Sequence, residues 1–180
     1  MKNELHKRIE STFRNSTSQD ELFDAFGEAV KNEIHDFELY KILLANPFLS
    51  IDEIKMYSSK LLKELPLDSY QICMWTAKIF ESHSMDFTGL DDTINYYERA
   101  NQLKPQEFEP LLSLLKLYNN DVETENNNKI FTIIKERIKN VVLKSKVYYS
   151  LADHFKKLGD TATASRYLAL AEKSIENERG

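Results

Sequence analysis

The chain has 180 residues, of which 42% are hydrophobic and 29% charged, proportions that suit a globular core or a short stack of repeats. Its 29 acidic against 24 basic residues leave a net charge of −5, without the basic excess of a nucleic-acid binder. Cys73 is the only cysteine, which excludes an intramolecular disulfide and a thiolate-rich zinc site.

Four glycines and four prolines are too few for a fold of many tight turns, so long helices with short loops are expected. No apolar run approaches the roughly 20 residues that span a bilayer. The opening segment, Met1 to His6, is charged rather than apolar. The expectation is a cytoplasmic chain with no membrane partner.

Leu5, Ile9 and Phe13 recur at spacing four and predict a helix over 2–14. Leu22, Phe26, Ala29 and Val30 lie on one face of a second helix, 19–34, opened by Ser18 and Glu21 as a capping box. A short helix over 36–45 follows. Ile51, Ile54, Tyr57, Leu61, Leu62 and Leu65 predict a helix over 50–64, with Ser50 and Glu53 as its capping box. Further helices are expected over 68–82, 90–103 and 106–119, with Thr88 to Asp91 as a weaker start signal. Ile130, Ile134 and Ile138 continue at spacing four, which selects helix over strand for 124–140. The last two helices are 144–158 and 160–177, the second capped by Asp160 after Gly159. Pro47, Pro66, Pro105 and Pro110 all fall at boundaries or first turns. The result is an all-α chain of about ten helices, with its longest connections near 82–89 and 119–128. Short loops make consecutive helices antiparallel neighbours.

The last hairpin carries a recognisable pattern. Tyr148, Leu151, Ala152 and Phe155 form one stripe, Gly159 the turn, and Ala164, Leu168 and Ala171 the facing stripe. The spacing resembles the tetratricopeptide repeat, a 34-residue helix–turn–helix unit, with Leu168 where an aromatic is usual. Upstream, Cys73, Thr76, Ala77 and Phe80, then Tyr97, Ala100 and Pro105, repeat the pattern with about four extra residues in the turn. A middle unit has Leu111, Leu114, Leu115 and Tyr118, then Phe131 and Ile134, and a poorer one starts at Leu39, Ile42 and Leu43. Ala77, Leu115 and Ala152 are equivalent positions, 38 and 37 residues apart. The resemblance implies antiparallel helical hairpins stacked as a right-handed solenoid. It would be one domain over 1–180, with degenerate hairpins in 1–67 and three repeat-like units in 68–180.

In that family the first helix of each hairpin lines a concave groove. Carried over by position, the resemblance places Tyr40, Met74, Lys78, Leu112, Lys116, Tyr149, Asp153 and Lys156 there, with Trp75 beside them. It implies a protein-interaction scaffold that takes a peptide or helical segment, with aromatic anchors and lysines facing the partner's carboxylates. Against this stands the reading that the same residues complete the core, or that a neighbouring helix fills the groove. Trp75 is either a core anchor or a groove hot spot, and helices 1–34 either cap the stack or fill it. One subtype of the family clamps a C-terminal carboxylate with Lys, Asn, Asn, Lys and Arg. Ser113 and Ser150 depart from that set, so chaperone-tail recognition is not expected.

Enzyme chemistry finds no foothold. His6, His35, His83 and His154 form neither His-Glu-x-x-His nor Glu-x-x-His, and no glycine-rich phosphate loop is present. His83 reads as a solvated loop residue, and Cys73 takes a core position where cysteine behaves as a small hydrophobe. No metal, cofactor or catalytic residue is expected. Lys139, Lys144, Lys146, Lys156 and Lys157 cluster near the end, but Glu136, Asp153 and Asp160 dilute them, so no nucleic-acid partner is expected. The second functional reading is a self-associating module, a homodimer joined through the uncapped C-terminal helix.

Overall fold

Serine and aspartate side chains open four of the helices in the computed structural model, which describes residues 2–83, 89–118 and 125–179. Ser18 accepts the Glu21 amide, Asp36 the Glu38 amide, Ser50 the Glu53 amide and Asp160 the Thr163 amide. The box at Ser50 is reciprocal, since Glu53 returns a bond to the Ser50 amide at 2.8 Å. At Ser18 only half of the expected box forms. Glu21 instead takes the Ser16 hydroxyl at 2.6 Å, and Ser16 takes the Ser18 amide.

The helices in chain order are α1 Lys2–Asn15, α2 Gln19–Lys31, α3 Phe37–Leu44, α4 Ile51–Glu64, α5 Ser69–His83, α6 Leu90–Leu103, α7 Glu109–Lys116, α8 Glu125–Arg137, α9 Lys144–Lys157 and α10 Thr161–Arg179. No strand occurs among the described residues. The start signal at Thr88 and most of the two long connections lie outside them, as does the side chain of His83. α7 is shorter than the expected 106–119. It has no side-chain cap, and Lys104 to Phe108 form turns before Pro110 enters its first turn. α8 tightens into a 3-10 turn at Ile138–Asn140.

The chain divides into two compact units, residues 1–85 and 86–180, so that α5 falls within the first. The reason lies in α5. Its Thr76 shares a buried hydroxyl hydrogen bond of 2.8 Å with Ser58 of α4, and its Trp75 Nε1 donates to the Lys41 carbonyl of α3 at 3.2 Å. These ties hold α5 to the first unit, whereas α6 packs on α7 and α8 in the second.

In the first unit α3 lies between α1 and α5, with α2 against α1 and α4 against α3 and α5. Phe13, Phe26, Tyr40 and Tyr57 form its aromatic centre, with Phe26 and Tyr57 ring centroids 4.9 Å apart. Asn46 fastens this unit at the end of α1. Its amide donates to the Phe13 and Ser16 carbonyls at 2.9 and 3.0 Å, and its oxygen accepts the Phe48 amide at 2.9 Å.

In the second unit α7 packs against α9, α6 against α8, and α10 against α9. Ile94, Tyr97, Leu111, Leu114, Ile130, Ile134, Val147 and Leu151 fill the centre. The equivalent positions Ala77, Leu115 and Ala152 are each buried, on α5, α7 and α9 respectively. Of α10 only Ala171 is fully buried. Its outward face carries Thr161, Ser165, Glu172 and Glu176.

Candidate functional site

Helix spacing on α9 builds one wall of a cleft in the second unit. Tyr149, Ser150, Asp153, His154 and Lys157 recur at intervals of three and four and share one side of the helix. α7 and its end supply the facing wall with Leu112, Leu115, Lys116 and Tyr118. The cleft encloses about 460 Å³, the size range of sites that bury several side chains.

Four of the five residues expected to face a partner in this unit, Leu112, Lys116, Tyr149 and Asp153, line this cleft together. Lys156 is exposed but does not line it. Tyr149 stands 41% exposed at its rim, an aromatic surface with two side-chain torsions to order. Asp153 is bound by Lys157 at 2.7 Å, one helical turn on. The hydrogen bond from Lys157 holds the Asp153 carboxyl below the usual carboxylate range against a smaller effect of burial.

His154 closes the cleft from beneath. Its ring lies edge-on to Tyr118 at 4.6 Å and to Phe131 and Phe155 at 5.5 Å each. Its Nε2 is buried, with no hydrogen-bond partner among the described residues. Burial, reinforced by the Lys157 ammonium and opposed by Asp153, pushes the His154 ring below the ordinary histidine range, so it is neutral at pH 7. Beyond it runs a ladder of stacked rings, Phe131 on Phe155 at 5.4 Å, Phe155 on Tyr167 at 5.5 Å and Tyr167 on Tyr148 at 6.2 Å. These rings join α8, α9 and α10 and hold the α9 wall rigid.

The expected residues of the first unit do not come together in this way. Tyr40 is 1% exposed, set between Phe13 and Phe26, and its hydroxyl donates to the Ile34 carbonyl at 2.8 Å. Burial, with the nearby Glu64 and Asp36 carboxylates, pushes its pKa up to about 12. It is a core residue rather than part of a binding face, because α1 and α2 lie over it. Met74 is half-buried and Lys78 exposed, and neither lines a described cleft. Trp75 does line one, of about 610 Å³, with residues of α1, α3 and the Ala45–Pro47 turn. There Lys41 sits 4.8 Å over the Trp75 ring while bonding both Glu38 oxygens, and the rim pairs His6–Asp36 and Arg14–Glu10 are likewise closed.

Lys157 is absent from the expected set, although its place four residues after Asp153 is a signal that could find it. Tyr118 and His154 were hidden, since their place in the cleft depends on where α7 ends against α9. Among the described residues no group of three or more His, Cys, Asp or Glu side chains is arranged to hold a metal. No described helix is long and apolar enough to cross a membrane. The chain matches no protein-family model, no curated protein and no solved structure.

Proposed function

We propose that the chain is a protein-interaction scaffold of the tetratricopeptide-like kind, which holds a peptide or helical segment in the cleft between α7 and α9. The observation that carries this is the meeting of Leu112, Lys116, Tyr149 and Asp153 in one open cleft. Repeat register selects these positions as two i, i+4 pairs, Leu112 with Lys116 and Tyr149 with Asp153, and α7 packs against α9. The layering within each unit supports the same reading: α1, α3 and α5 are successive neighbours, as are α7 and α9. The cleft offers shape, an aromatic anchor and charge, the features a peptide site needs.

Affinity capture with the wild-type chain and with Lys116→Glu plus Tyr149→Ala tests this. Partners held in the cleft are lost from the double variant while its circular dichroism stays unchanged. If every captured partner survived, the cleft would not be the binding site.

The self-association reading is weaker. The outward face of α10 presents Thr161, Ser165, Glu172 and Glu176, the polar surface of a terminal cap rather than an adhesive one, although Leu168 is 43% exposed at its edge. Light scattering at high concentration should give the 21.1 kDa of a monomer. A stable dimer would favour the second reading.

A further inference from the structure

We infer that the cleft between α7 and α9 takes an acidic protein segment, with carboxylates flanking a leucine-sized or aromatic anchor. This rests on the cleft being a peptide site, as proposed above, and specifies what kind of peptide.

The charges decide it. Asp153, the one carboxylate of the cleft, is spent on Lys157 at 2.7 Å. Lys116 on the opposite wall has no carboxylate within ion-pair distance among the described residues. Lys146 lies one turn before Ser150, whose hydroxyl donates to the Lys146 carbonyl, and so extends the same side of α9. Its ammonium is exposed, again with no ion-pair partner among the described residues. His154 is neutral at pH 7 and adds nothing to the balance. Among the described residues, Lys116 on the cleft wall and Lys146 farther along the same side of α9 are thus cations without an ion-pair partner, in a chain whose overall charge is −5. A basic segment would meet both of them and find no free carboxylate in exchange. An uncharged segment would leave them solvated and gain nothing from them.

The cleft also has an apolar part, beside the polar Ser150, Asp153 and Lys157. Leu112, Leu115 and Tyr149 line it, and the Tyr118 and His154 rings close it. An anchor side chain seated there would bring residues before and after it within reach of Lys116 and Lys146. The first-unit cleft makes the contrast: Lys41 and Arg14, its lysine and arginine, are already paired with Glu38 and Glu10, so it has no free cation to offer an acidic partner.

Fluorescence anisotropy with three labelled decapeptides tests the inference on the full chain. The first places aspartates around a central Leu-Phe pair, the second replaces them with asparagines, and the third with lysines. The aspartate peptide is expected to bind about tenfold tighter than the asparagine peptide in 50 mM salt, since each exposed pair contributes a factor of a few. The gap should close toward 300 mM salt. Lys116→Glu plus Lys146→Glu should invert the order, so that the lysine peptide binds best. Equal binding of the aspartate and asparagine peptides, both abolished by Tyr149→Ala, would overturn the acidic partner and leave the peptide site standing. An aspartate preference unchanged in the double variant would also overturn it. Absence of binding by all three at millimolar concentration would remove both proposals. A ten-nucleotide RNA that bound as tightly as the aspartate peptide would overturn the assignment to a protein segment.

Discussion

Glu178, in the last turn of α10, caps the start of α9: its carboxylate accepts the Ser145 amide at 2.9 Å and the Ser145 hydroxyl at 2.6 Å, across 33 residues of chain. α9 has no cap of its own, because Leu143 stands at the capping position and offers no side-chain acceptor. The last hairpin is thereby closed at both ends, by the Gly159 turn at one and by this bond at the other, and the α9 wall of the cleft is held in place.

Removing that cap should loosen the hairpin. Burial alone would raise the Glu178 carboxyl, but the Ser145 hydroxyl and the Ser145 and Lys144 amides outweigh it and hold the group below its ordinary value of 4.5. A carboxyl lowered in the folded state adds stability above about pH 4.5, and that stability fades as pH falls through the folded value. Glu178→Ala is expected to cost about 0.5–2 kcal/mol at pH 7, as for other lost caps. Urea unfolding at pH 7 and pH 3 checks this: the difference from wild type should shrink at the lower pH. An equal difference at both would show that the carboxylate is not the source.

Asn46 should be the most sensitive polar position of the first unit. It is almost wholly buried, and it serves two carbonyls of the α1 end and the amide of Phe48 at once. Asn46→Asp sets an acceptor against both carbonyls and is expected to destabilise by about 2–4 kcal/mol, from one or two lost bonds to buried groups. Asn46→Ser should be milder. Thermal unfolding of the two variants, with Asp no worse than Ser, would contradict this account.

His154 should make the second unit sensitive to mild acid. Its ring is held below the ordinary value of 6.5 by burial first and Lys157 second, so the unfolded chain takes up a proton before the folded one does. Stability therefore falls as pH drops from about 6.5 through the folded value, and is level above it. His154→Phe keeps a ring among Tyr118, Phe131 and Phe155 and removes the titration. Comparing the urea midpoints of both proteins at pH 7.5 and pH 5.5 should show a smaller drop in the variant. Parallel drops would place the sensitivity elsewhere.

Asn101 offers the opposite sign. It is fully buried on α6, and neither its amide nitrogen nor its oxygen has a hydrogen-bond partner among the described residues. Such a group costs about 1–3 kcal/mol, and leucine has nearly its shape without the polar atoms. Asn101→Leu is expected to raise the melting temperature by several degrees. A lower melting temperature would mean that the amide is serving a group this packing does not reveal.

The helices were written into local spacing. Ile9 and Phe13, Ile54 and Leu61, and Ile130 and Ile134 are each buried on the faces their intervals predict, and Ser50 with Glu53 forms the box that their order requires. These features depend on neighbours within a turn or two, which one sequence displays in full. The expected 106–119 overdraws α7 because Gln106, Glu107 and Phe108 carry no breaker of their own, whereas Pro110 belongs in a first turn and the preceding turn depends in part on a long-range bond, the Val142 amide to the Gln106 carbonyl at 3.0 Å.

What the sequence by itself determined is the set of helices and local caps such as the Ser50–Glu53 box and Asp160. Tertiary packing alone decided that Tyr40 lies under α1 and α2, that α5 belongs with α3 and α4, and that Glu178 closes α9. The physical reason is range. Periodicity reports which face of a helix is apolar, but not which other helix covers it, and that choice is made by side chains on different helices meeting only in the folded chain.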